Sequence, residues 1–579
     1  LFQHAVHTYA DRQAFGVLKG KDWAWTTYAE LDQLVTQCRA GLALLGVGRG
    51  DRVGVIADNR LEWVIAAHAT FQRRAIYVPM FEAQVDSELK YILADSGVKV
   101  CIVANSSVAA RVAALREDLL DLAHVVNMEG PLDDPGSFSH LLARGAERAI
   151  TGRTPSPTDV ATIIYTSGTT GEPKGVRLTH GNLASNTAAL SEMRDYGPDP
   201  RTMAFLPWAH VFGGCVELNL AFALGASVAI CKNADQLFEE MPRVRPTTLY
   251  AVPRIWQQIY HDIQRELAKE ADMGRNMFDQ GLRLRAKQQK GEKLSLSEKM
   301  LLNLSDKLVI GKLKAQLGGR LKLAFSGAAP LPQEVAEFLH AIGVTIHEGY
   351  GLTESSGSTT TNPAGAVRFG SVGKPVPGTT IKIDRGANPT EGVREGEILV
   401  YGPGVMAGYH NRPEDTAAAL TGDGGLRTGD LGFLDDDGYL YITGRVKELY
   451  KLNNGRYVAP VPLEEKLKLS PFISNCMVYG SGQPYNVALI VADVPALQAY
   501  FGGDVRPMQD LLTDRRTRRL FEEEILKHSR DFRTFELVRN FWLEMEPFTR
   551  ENGMLTPTFK LRRDLACRRY EGKLLSLYG

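Results

Sequence analysis

The segment Tyr165-Thr-Ser-Gly-Thr-Thr-Gly-Glu-Pro-Lys-Gly-Val176 follows an apolar, strand-like run at 161–165. Its first part, 166–171, contains only hydroxyl residues and glycines, and such a loop can turn backbone N–H groups and hydroxyls toward phosphate oxygens. Lys174 adds a mobile positive charge. The pattern GxxxxGK[ST] is not matched, because Gly175 follows Lys174. The segment predicts a phosphate-binding loop that is not a Walker loop; a plain Ser/Thr/Gly loop is the alternative.

On both sides of this loop, strand-like apolar runs alternate with helical patterns. The helical pattern at 28–45 is followed by Gly46, which is typical of a helix stop. A second helical pattern covers 62–71. The predicted strands are 51–56, 75–79, 98–103, 160–165, 227–230, 248–252 and 321–325. This alternation predicts parallel βαβ units and therefore an α/β fold.

Two later regions differ from this pattern. Residues 257–320 predict a helical insert, in which Gly281–Lys290 carries Arg283, Arg285, Lys287 and Lys290 without an acid. The simpler interpretation is a solvated helical face. The alternative is a basic surface near anionic lipid.

Residues 371–441 are rich in Gly and Pro and contain short apolar runs, at 380–383 and 397–400, which predict a β-rich part. A charged loop follows Arg445, so we place a domain boundary there. The first domain covers 1–446 and the second covers 447–579.

The composition excludes several classes of protein. Among 579 residues, 67 Lys and Arg balance 67 Asp and Glu, which argues against a general nucleic-acid binder. With 44% hydrophobic and 23% charged residues, the chain is an ordinary globular protein rather than a disordered or fibrous one. The most apolar stretch, 211–231, includes Glu217 and Asn219, so we predict a buried helix and strand there rather than a membrane span.

The cysteines are scattered and form no CxxC pair, which excludes a zinc ribbon and a disulfide scaffold. This usage is typical of a reducing cytosol. They are Cys38, Cys101, Cys215, Cys231, Cys476 and Cys567. The first residue is leucine rather than methionine, so the sequence leaves open whether a targeting segment precedes it.

Together with the loop at 165–176, other segments resemble, in chain order, the motifs of the adenylate-forming superfamily of acyl-CoA synthetases, luciferases and peptide-synthetase adenylation domains. They are Ser326-Gly-Ala-Ala-Pro-Leu331, Glu348-Gly-Tyr-Gly-Leu-Thr-Glu354, Thr428-Gly-Asp430, Gly444-Arg445-Val-Lys447 and Thr556-Pro-Thr-Phe-Lys560. The resemblance spans nearly the whole chain. It implies a large N-terminal layered α/β domain with a β-rich subdomain, and a small mobile C-terminal α/β lid domain.

The resemblance implies that these segments bind ATP and AMP. Tyr350 offers a flat face for adenine, and Asp430 and Arg445 contact the ribose. Glu354 and Thr166 are the implied ligands of Mg²⁺, a cation that takes oxygen ligands together with phosphates. The implied nucleotide-binding residues are Thr166, Ser167, Gly168, Thr169, Thr170, Gly171, Lys174, Gly327, Ala328, Glu348, Gly349, Tyr350, Gly351, Thr353, Asp430, Arg445 and Lys560.

The same resemblance assigns roles in the reaction to two lysines of the second domain. Lys560 bridges the substrate carboxylate and the α-phosphate, where attack of one anion on another needs charge neutralisation. Lys447 lies at the hinge and contacts the adenylate; a plain surface lysine is its alternative. Enzymes of this type adenylate in one arrangement and then swing the small domain for the thiol step. Taken with Lys174, Glu354 and His210, these lysines are the predicted catalytic residues.

Two further segments resemble the acyl side of such enzymes. Pro207-Trp-Ala-His-Val-Phe212 places His210 near the carboxyl end of the acyl site. Val252-Pro-Arg-Ile-Trp256 resembles the gate of long-chain synthetases, in which an aromatic side chain closes a fatty-acyl tunnel until ATP binds. We therefore expect Val252 and Trp256 to line the gate, with Trp256 on the wall or at the mouth of an apolar tunnel. A structural His210 and a core Trp256 are the alternatives.

The helical insert and the ending Met554-Leu-Thr-Pro-Thr-Phe-Lys-Leu-Arg-Arg563 are similar to the long-chain fatty-acid–CoA ligase branch. Gly444 and Asn453-Asn454-Gly455 depart from the usual pattern, which affects the geometry of the CoA loop. The prediction is an ATP-dependent ligase with Mg²⁺ as cofactor and fatty acid, ATP and CoA as substrates. It would be cytoplasmic, with peripheral membrane contact through the insert. The alternatives are a fatty acyl-AMP ligase that serves a carrier-protein thiol, and a non-catalytic adenylate-binding protein.

Overall fold

A computed structural model describes residues 1–148, 150–166, 172–232, 234–269, 272–289, 292–387, 394–502, 507–549, 552–556 and 560–579. These residues divide into two compact units. Unit 1 comprises Leu1–Ala329, Ala336–Lys382 and Leu399–Thr428. Unit 2 comprises Pro330–Val335, Ile383–Ile398 and Gly429–Gly579.

Helices and strands alternate along most of the chain. The α-helices are α1 Phe2–Thr8, α2 Tyr28–Leu44, α3 Leu61–Gln72, α4 Asp86–Ser96, α5 Ser106–Ala114, α6 Phe138–Ala146, α7 His180–Glu192, α8 Asn219–Leu224, α9 Ala234–Val244, α10 Pro253–Lys269, α11 Asp272–Gln289, α12 Leu296–Ser305, α13 Gly311–Gln316, α14 Gln333–Ala341, α15 Pro413–Ala419, α16 Pro460–Leu467, α17 Val494–Tyr500, α18 Met508–Thr513, α19 Arg515–His528 and α20 Arg563–Leu575. The strands are β1 Gln13–Lys19, β2 Asp22–Thr27, β3 Arg52–Ile56, β4 Ile76–Met80, β5 Val98–Val103, β6 His124–Asn127, β7 Val160–Thr166, β8 Lys174–Thr179, β9 Arg201–Ala204, β10 Ser227–Ile230, β11 Thr248–Ala251, β12 Leu323–Ser326, β13 Ile346–Tyr350, β14 Thr360–Thr361, β15 Lys374–Pro375, β16 Thr380–Asp384, β17 Gly396–Tyr401, β18 Gly408–Tyr409, β19 Leu426–Leu434, β20 Leu440–Arg445, β21 Tyr450–Lys451, β22 Tyr457–Val458, β23 Ile473–Tyr479, β24 Asn486–Ala492 and β25 Val538–Glu544.

The main sheet of unit 1 has the strand order β18-β8-β7-β4-β3-β5-β6. The strands from β7 to β6 pair in parallel, whereas β8 and β18 add antiparallel pairs at one edge. Helices connect the parallel strands, as the alternating sequence pattern predicted, and both faces of β3 are buried through Val53, Val55 and Ile56. The phosphate loop follows β7, at the carboxyl end of a parallel strand, where α/β sheets place their ligands.

Two further sheets lie within unit 1. One has the order β2-β1-β10-β9, and the other has the order β11-β12-β13-β14-β15. In the second sheet β11, β12 and β13 run parallel, with Ser326 opposite Glu348. This register brings two of the sequence motifs side by side at the carboxyl ends of neighbouring strands.

The predicted elements of unit 1 are confirmed with small shifts in their bounds. Helix α2 begins where Thr27 and Glu30 form a capping box: the Glu30 N–H donates to the Thr27 hydroxyl, and the Glu30 carboxylate accepts from the Thr27 N–H at 2.7 Å. The helix ends just before Gly46, whose φ of 74° is the left-handed conformation expected of a stop signal. The apolar stretch 211–231 forms a π-helical turn at Phe212–Leu218, then α8 and β10. Across the described residues, no helix has both the length and the apolar run that a bilayer crossing requires.

Unit 2 is built around the sheet β23-β24-β25, which is buried on both faces. Alternate residues of β24 supply two separate apolar clusters: Ala488 and Ile490 pack with residues of α16 and α19, whereas Val487 and Leu489 pack with residues of α20. Because successive side chains of a strand point to opposite faces, one strand with apolar residues at every position predicts this three-layer arrangement. The remaining strands of the β-rich region form the order β16-β17-β19-β20, which confirms the strands predicted at 380–383 and 397–400.

The predicted helical insert contains α10 to α13, with a π-helical turn at Asp306–Ile310. The sequence suggested an uncompensated basic face on 281–290. The structure instead pairs two of those residues with acids of the next helical segment: Lys287 with Glu298 at 2.8 Å, and Arg285 with Asp306. Lys290 lies outside the described residues. A run that lacks acids in sequence is thus partly neutralised by the fold.

Candidate functional site

The phosphate loop leaves and re-enters the main sheet through a β7–β8 hairpin. Thr166 pairs in register with Lys174, and the Thr166 hydroxyl donates to the Lys174 carbonyl at 3.5 Å. Between them the predicted residues Ser167, Gly168, Thr169, Thr170 and Gly171 lie outside the described part of the chain. The hairpin therefore fixes the two ends of the loop on neighbouring strands.

The base of this hairpin is anchored by contacts that the sequence does not reveal. The Tyr165 hydroxyl donates to Asp95 at 2.6 Å. Burial, followed by this hydrogen bond and the charge of Asp95, raises the pKa of Tyr165 above its usual range. Arg412 donates to Glu172 at 2.8 Å and to the Tyr91 hydroxyl at 2.9 Å. These contacts connect both ends of the loop, at Tyr165 and Glu172, to helix α4.

Glu354 lies in the short 3-10 turn Thr353–Ser355, which is in contact with β8. The turn depends on close backbone approach: a Cβ on Gly351 would lie 2.0 Å from the Gly357 carbonyl, so only glycine fits there. The Glu354 carboxylate accepts a hydrogen bond from the Tyr409 hydroxyl at 2.8 Å. The Glu354 carbonyl accepts from the Met406 N–H at 2.9 Å, which ties the turn to the segment that leads into β18.

Tyr409 connects Glu354 to Lys174. The Lys174 ammonium lies 5.2 Å from the centre of the Tyr409 ring and forms an ion pair with Asp415 of α15. Burial, followed by the charge of Glu354 and the hydrogen bond to it, raises the pKa of Tyr409, so its hydroxyl stays protonated and donates. We call Thr166, Lys174, Glu354, Tyr409 and Asp415 the phosphate-side cluster.

Sequence reasoning missed two members of this cluster, Tyr409 and Asp415. The glycines of 402–408 indicate a turn in the sequence but do not identify what it contacts. Gly408 has a φ of 121°, and a Cβ there would lie 2.7 Å from a Thr416 methyl carbon. The Thr416 hydroxyl also accepts from the Tyr409 N–H at 2.9 Å. This local fold turns Tyr409 toward Glu354 and places Asp415 beside Lys174.

The predicted adenine-facing turn follows β12. Ala328 has a φ of 72°, the left-handed region that few residues with a Cβ adopt, so the turn stores strain where a functional residue is expected. Ser326 is buried, and its hydroxyl has no hydrogen-bond partner within the described residues. An orphaned buried hydroxyl at this turn fits a site that a polar ligand completes.

The other predicted residues of this motif lie on β13 and just beyond it. Glu348 and Thr353 are buried, and Tyr350 is half-buried at the end of the strand. Gly327 has space for a Cβ, whereas a Cβ on Gly349 would lie 3.1 Å from the Thr360 carbonyl. The motif residues of β12 and β13 therefore lie at one end of one sheet.

On the acyl side, His210 is half-buried and comes just before the π-helical turn. Its Nδ1 accepts from the Phe212 N–H at 3.3 Å. The Phe212 ring faces Gly327, on which a Cβ would come within 3.6 Å of that ring. The His210 segment and the predicted adenine-facing turn are therefore neighbours.

Trp256, the predicted gate residue, is fully buried near the start of α10, and its indole N–H donates to the Phe325 carbonyl at 3.3 Å. Val252 is half-buried and packs against the same apolar cluster as Phe325. Phe325 stacks on Tyr250 with ring centres 4.8 Å apart, and the His347 ring lies 5.7 Å from it. We call Phe212, Tyr250, Trp256, Phe325 and His347 the aromatic cluster.

In unit 2, Asp430 and Arg445 face each other on β19 and β20, and Arg445 Nε donates to Asp430 Oδ1 at 2.6 Å. Asp430 is buried. The structure thus brings together the two residues predicted to contact one ribose. Lys447 is exposed in the turn that follows β20, in which the N–H groups of Glu448 and Leu449 donate to the Arg445 carbonyl.

Lys560 is exposed and lies at the end of the loop that begins after Thr556 in unit 2. Its N–H donates to the Thr556 hydroxyl at 3.0 Å, its carbonyl accepts from the Thr556 N–H, and Leu555 and Leu561 form a β-bridge. Behind the loop, Arg563 donates to both oxygens of Glu464 at 2.7 Å. The loop is therefore fixed at both ends while the lysine side chain stays at the surface.

The donor chemistry of unit 1 fits Mg²⁺ held largely by substrate. Carboxylate and hydroxyl oxygens, from Glu354 and Thr166, are the ligand type that this ion takes. Among the described residues, no group of three or more His, Cys, Asp or Glu side chains is arranged to hold a metal. Magnesium usually binds through one or two carboxylates together with phosphates, so a sparse protein donor set is the expected one.

Comparisons with known proteins cover nearly the whole chain. Residues 2–410 match the family model described as AMP-binding enzyme, and residues 448–501 match that of the AMP-binding enzyme C-terminal domain. A relative from Mycobacterium bovis, named long-chain-fatty-acid–CoA ligase FadD15, is 33% identical over 96% of this chain and 93% of its own length. A relative from Arabidopsis thaliana, named long chain acyl-CoA synthetase 7, peroxisomal, is 30% identical over 100% of this chain and 86% of its own length.

Solved structures share the fold. The adenylation domain of a carboxylate reductase from Mycobacterium chelonae aligns with a TM-score of 0.82 over 100% of this chain and 90% of that chain, at 22% identity. ATP-bound MatB from Rhodopseudomonas palustris aligns with a TM-score of 0.73 over 99% of both chains, at 24% identity. These likenesses confirm the predicted fold class, a large N-terminal domain and a smaller C-terminal domain.

Proposed function

The chain belongs to the AMP-binding enzyme family, and from that premise we propose that it is an ATP-dependent long-chain fatty-acid–CoA ligase. The reaction would form acyl-AMP and pyrophosphate from fatty acid and ATP, and then acyl-CoA and AMP from the adenylate and CoA. The observation that carries this proposal is the similarity, over 96% of this chain, to a relative named as such a ligase. The phosphate-side cluster supports this proposal, because it combines a lysine with a carboxylate and a hydroxyl that suit a nucleoside triphosphate and its Mg²⁺.

For nucleotide binding, we propose that Lys174 and the loop 166–171 contact the phosphates. Tyr350, Gly351 and the turn at Gly327 and Ala328 would receive the adenine, and Asp430 and Arg445 would receive the ribose. The ion pair between Asp430 and Arg445 supports the ribose role, because it presents a carboxylate and a guanidinium from one pair of strands. Glu354 and Thr166 would hold Mg²⁺, whose chemistry when bound is to neutralise phosphate charge.

For the reaction itself, Lys560 would neutralise the approach of the fatty-acid carboxylate to the α-phosphate. An exposed lysine on a loop fixed at both ends is suited to that role, since its long side chain can reach a ligand without rearranging the backbone. We place the hinge at Lys447, in the turn after β20, and the start of the lid domain there. A turn outside the sheets can absorb a change in backbone dihedral angles.

For the acyl chain, we propose that His210 lies near the reacting carboxylate, and that Val252 and Trp256 control entry of the tail. The hydrogen bond from Trp256 to the Phe325 carbonyl supports this, because Phe325 directly precedes the motif at 326–328. A ligand that displaces the turn would act on the carbonyl that holds the indole. A purely structural role of Trp256 in the core predicts the same burial. The order in which ATP and fatty acid bind to a Trp256→Phe variant distinguishes this role from that of a gate.

We propose the cytosol as the compartment. All six cysteines are free thiols, and five of them are buried, as a reducing compartment allows.

A pyrophosphate-exchange assay tests the adenylation step directly. We expect exchange that depends on fatty acid and Mg²⁺, and that Lys560→Ala lowers its rate about 10²–10³-fold, the typical loss for one electrostatic donor. Thioester formation from supplied acyl-AMP should survive in the same variant, because Lys560 acts only in adenylation. Equal loss of both half-reactions would refute the two-arrangement role of Lys560. Absence of exchange in the unaltered protein would favour the non-catalytic alternative.

A further inference from the structure

Helix α12 and the π-helical turn after it present an apolar stripe to solvent. The stripe consists of Leu296, Met300, Leu304 and Leu308, which are spaced four residues apart and are 86%, 77%, 44% and 44% exposed. Residues four apart lie on one face of a helix. At about 1.5 Å per residue the stripe is about 18 Å long. Four large apolar side chains in one exposed row are unusual on a protein surface.

The opposite face of the same segment is packed into unit 1. Leu302, Ser305, Val309 and Ile310 are buried, and α12 is in contact with α11. These buried residues attach the segment to the core of unit 1. The four stripe residues are on the other face and take no part in that packing.

The charges around the stripe are arranged unevenly. Lys293, Lys299 and Lys307 are exposed between 292 and 310. Of the three acids in that range, Glu298 and Asp306 form ion pairs with α11, which leaves Glu292. The surface that flanks the stripe is consequently basic.

We propose that the apolar stripe and its lysines form a contact surface for membranes that contain anionic lipids. An amphipathic helix with lysines beside an apolar face lies in the headgroup region with that face buried about 5–10 Å. Each basic residue near an anionic surface strengthens binding about fivefold. A second copy of this chain fits the face less well, because a symmetric contact would place lysines beside lysines.

The test is co-sedimentation of the full chain with vesicles of phosphatidylcholine alone or with added phosphatidylglycerol, at low and high salt. We expect binding that needs the anionic lipid and weakens with salt. The charge variant Lys299→Glu with Lys307→Glu should bind at least tenfold more weakly. The stripe variant replaces all four apolar residues: Leu296→Gln, Met300→Gln, Leu304→Gln and Leu308→Gln. It should also bind at least tenfold more weakly. The binding readout needs no turnover, so it stands or falls separately from the proposed ligase activity.

Controls carry changes of the same kind elsewhere on unit 1. Lys19→Glu with Lys21→Glu matches the charge variant in number, and Leu120→Gln with Leu132→Gln places two polar side chains at exposed apolar positions. Both controls should bind as the unaltered protein does. Thermal melts check that each variant is folded. If the stripe variant does not fold, the charge variant alone still decides the test. Unchanged vesicle binding in the charge variant overturns the proposal. So does a stripe variant that loses a dimer in light scattering yet keeps its vesicle binding.

Discussion

The phosphate-side cluster and the aromatic cluster lie in the same unit but are stabilised by different interactions. In the first, charged groups are partly exposed and hold one another: Lys174 pairs with Asp415, and Tyr409 donates to Glu354. In the second, buried rings stack, and the polar atom of Trp256 is satisfied by a backbone carbonyl. Changes in the first region should therefore alter the rate and the metal dependence, whereas changes in the second should alter stability and the order of binding.

The largest effect is expected from Glu354→Gln, which keeps the shape of the side chain but removes its charge. The adenylation rate should fall about 10²–10³-fold. Pyrophosphate exchange measured across a Mg²⁺ titration checks this. Near-normal exchange at low Mg²⁺ would remove Glu354 from the metal site.

A smaller effect is expected from Tyr409→Phe, which deletes the hydrogen bond to Glu354 but keeps the ring beside Lys174. A hydrogen bond to a charged group contributes about 1.5–3 kcal/mol. We expect the Mg²⁺ concentration for half-maximal exchange to rise about tenfold, with a smaller change in the KM for fatty acid.

Asp415→Asn is the matched control for Tyr409→Phe, since it changes the other side of Lys174. The Lys174–Asp415 pair is partly exposed, and such pairs are worth about 0–1 kcal/mol, so the KM for ATP should change less than about fivefold. A Mg²⁺ dependence that shifts equally in both variants would mean that Tyr409 acts only through the general packing of the cluster.

In the aromatic cluster, Trp256→Phe removes the indole N–H and leaves most of the ring volume. The free energy of unfolding should fall about 1–3 kcal/mol, because the Phe325 carbonyl loses its buried donor. If Trp256 gates the acyl tunnel, fatty-acid binding should also depend less on prior ATP, while ATP binding changes little. Isothermal titration in both orders of addition measures this, and strict ATP-first binding in the variant would make Trp256 a core residue only.

His347 affects stability alone, and only below pH 6.5. Burial, together with the charge of Arg194, lowers the pKa of His347 to about 4. Between pH 6.5 and 4 the unfolded chain binds this proton and the folded chain does not, so folding stability is lost as the pH falls through that window. One proton contributes at most about 1.4 kcal/mol per pH unit.

His347→Gln should lose stability less steeply on acidification, in urea melts at several pH values. The same slope in both proteins would mean that His347 is charged in the folded state.

The sequence predicted much of the fold, because its signals are local. The parallel strands are continuous apolar runs, and α2 carries its own capping box and glycine stop. The motif residues could be assigned because each motif is a contiguous segment. Tyr409 and Asp415 could not, since they meet Lys174 only through pairing of β18 with β8, which joins residues more than 200 positions apart. The acids opposite Arg285 and Lys287 are only 21 and 11 positions away, but they meet these residues through the packing of the next helical segment against α11, which no local pattern encodes.

Side-chain roles in the aromatic cluster were the hardest to predict. A buried tryptophan near the start of a helix has the same sequence signature whether it fills a core or closes a tunnel. The contact with the Phe325 carbonyl depends on how α10 packs against β12, which no local pattern encodes. The exposure of the stripe on α12 could not be predicted either, because apolar residues that recur every four positions usually mark the buried face of a helix.

We expect this chain to join long-chain fatty acids to CoA through an acyl-AMP intermediate. The most direct measurement follows AMP release and CoA consumption together, across a panel of fatty acids from medium to long chain length. We predict that AMP and acyl-CoA form in equal amounts and fastest with long-chain acids. AMP release that depends on fatty acid but consumes no CoA would contradict this account and favour a ligase that serves a carrier-protein thiol.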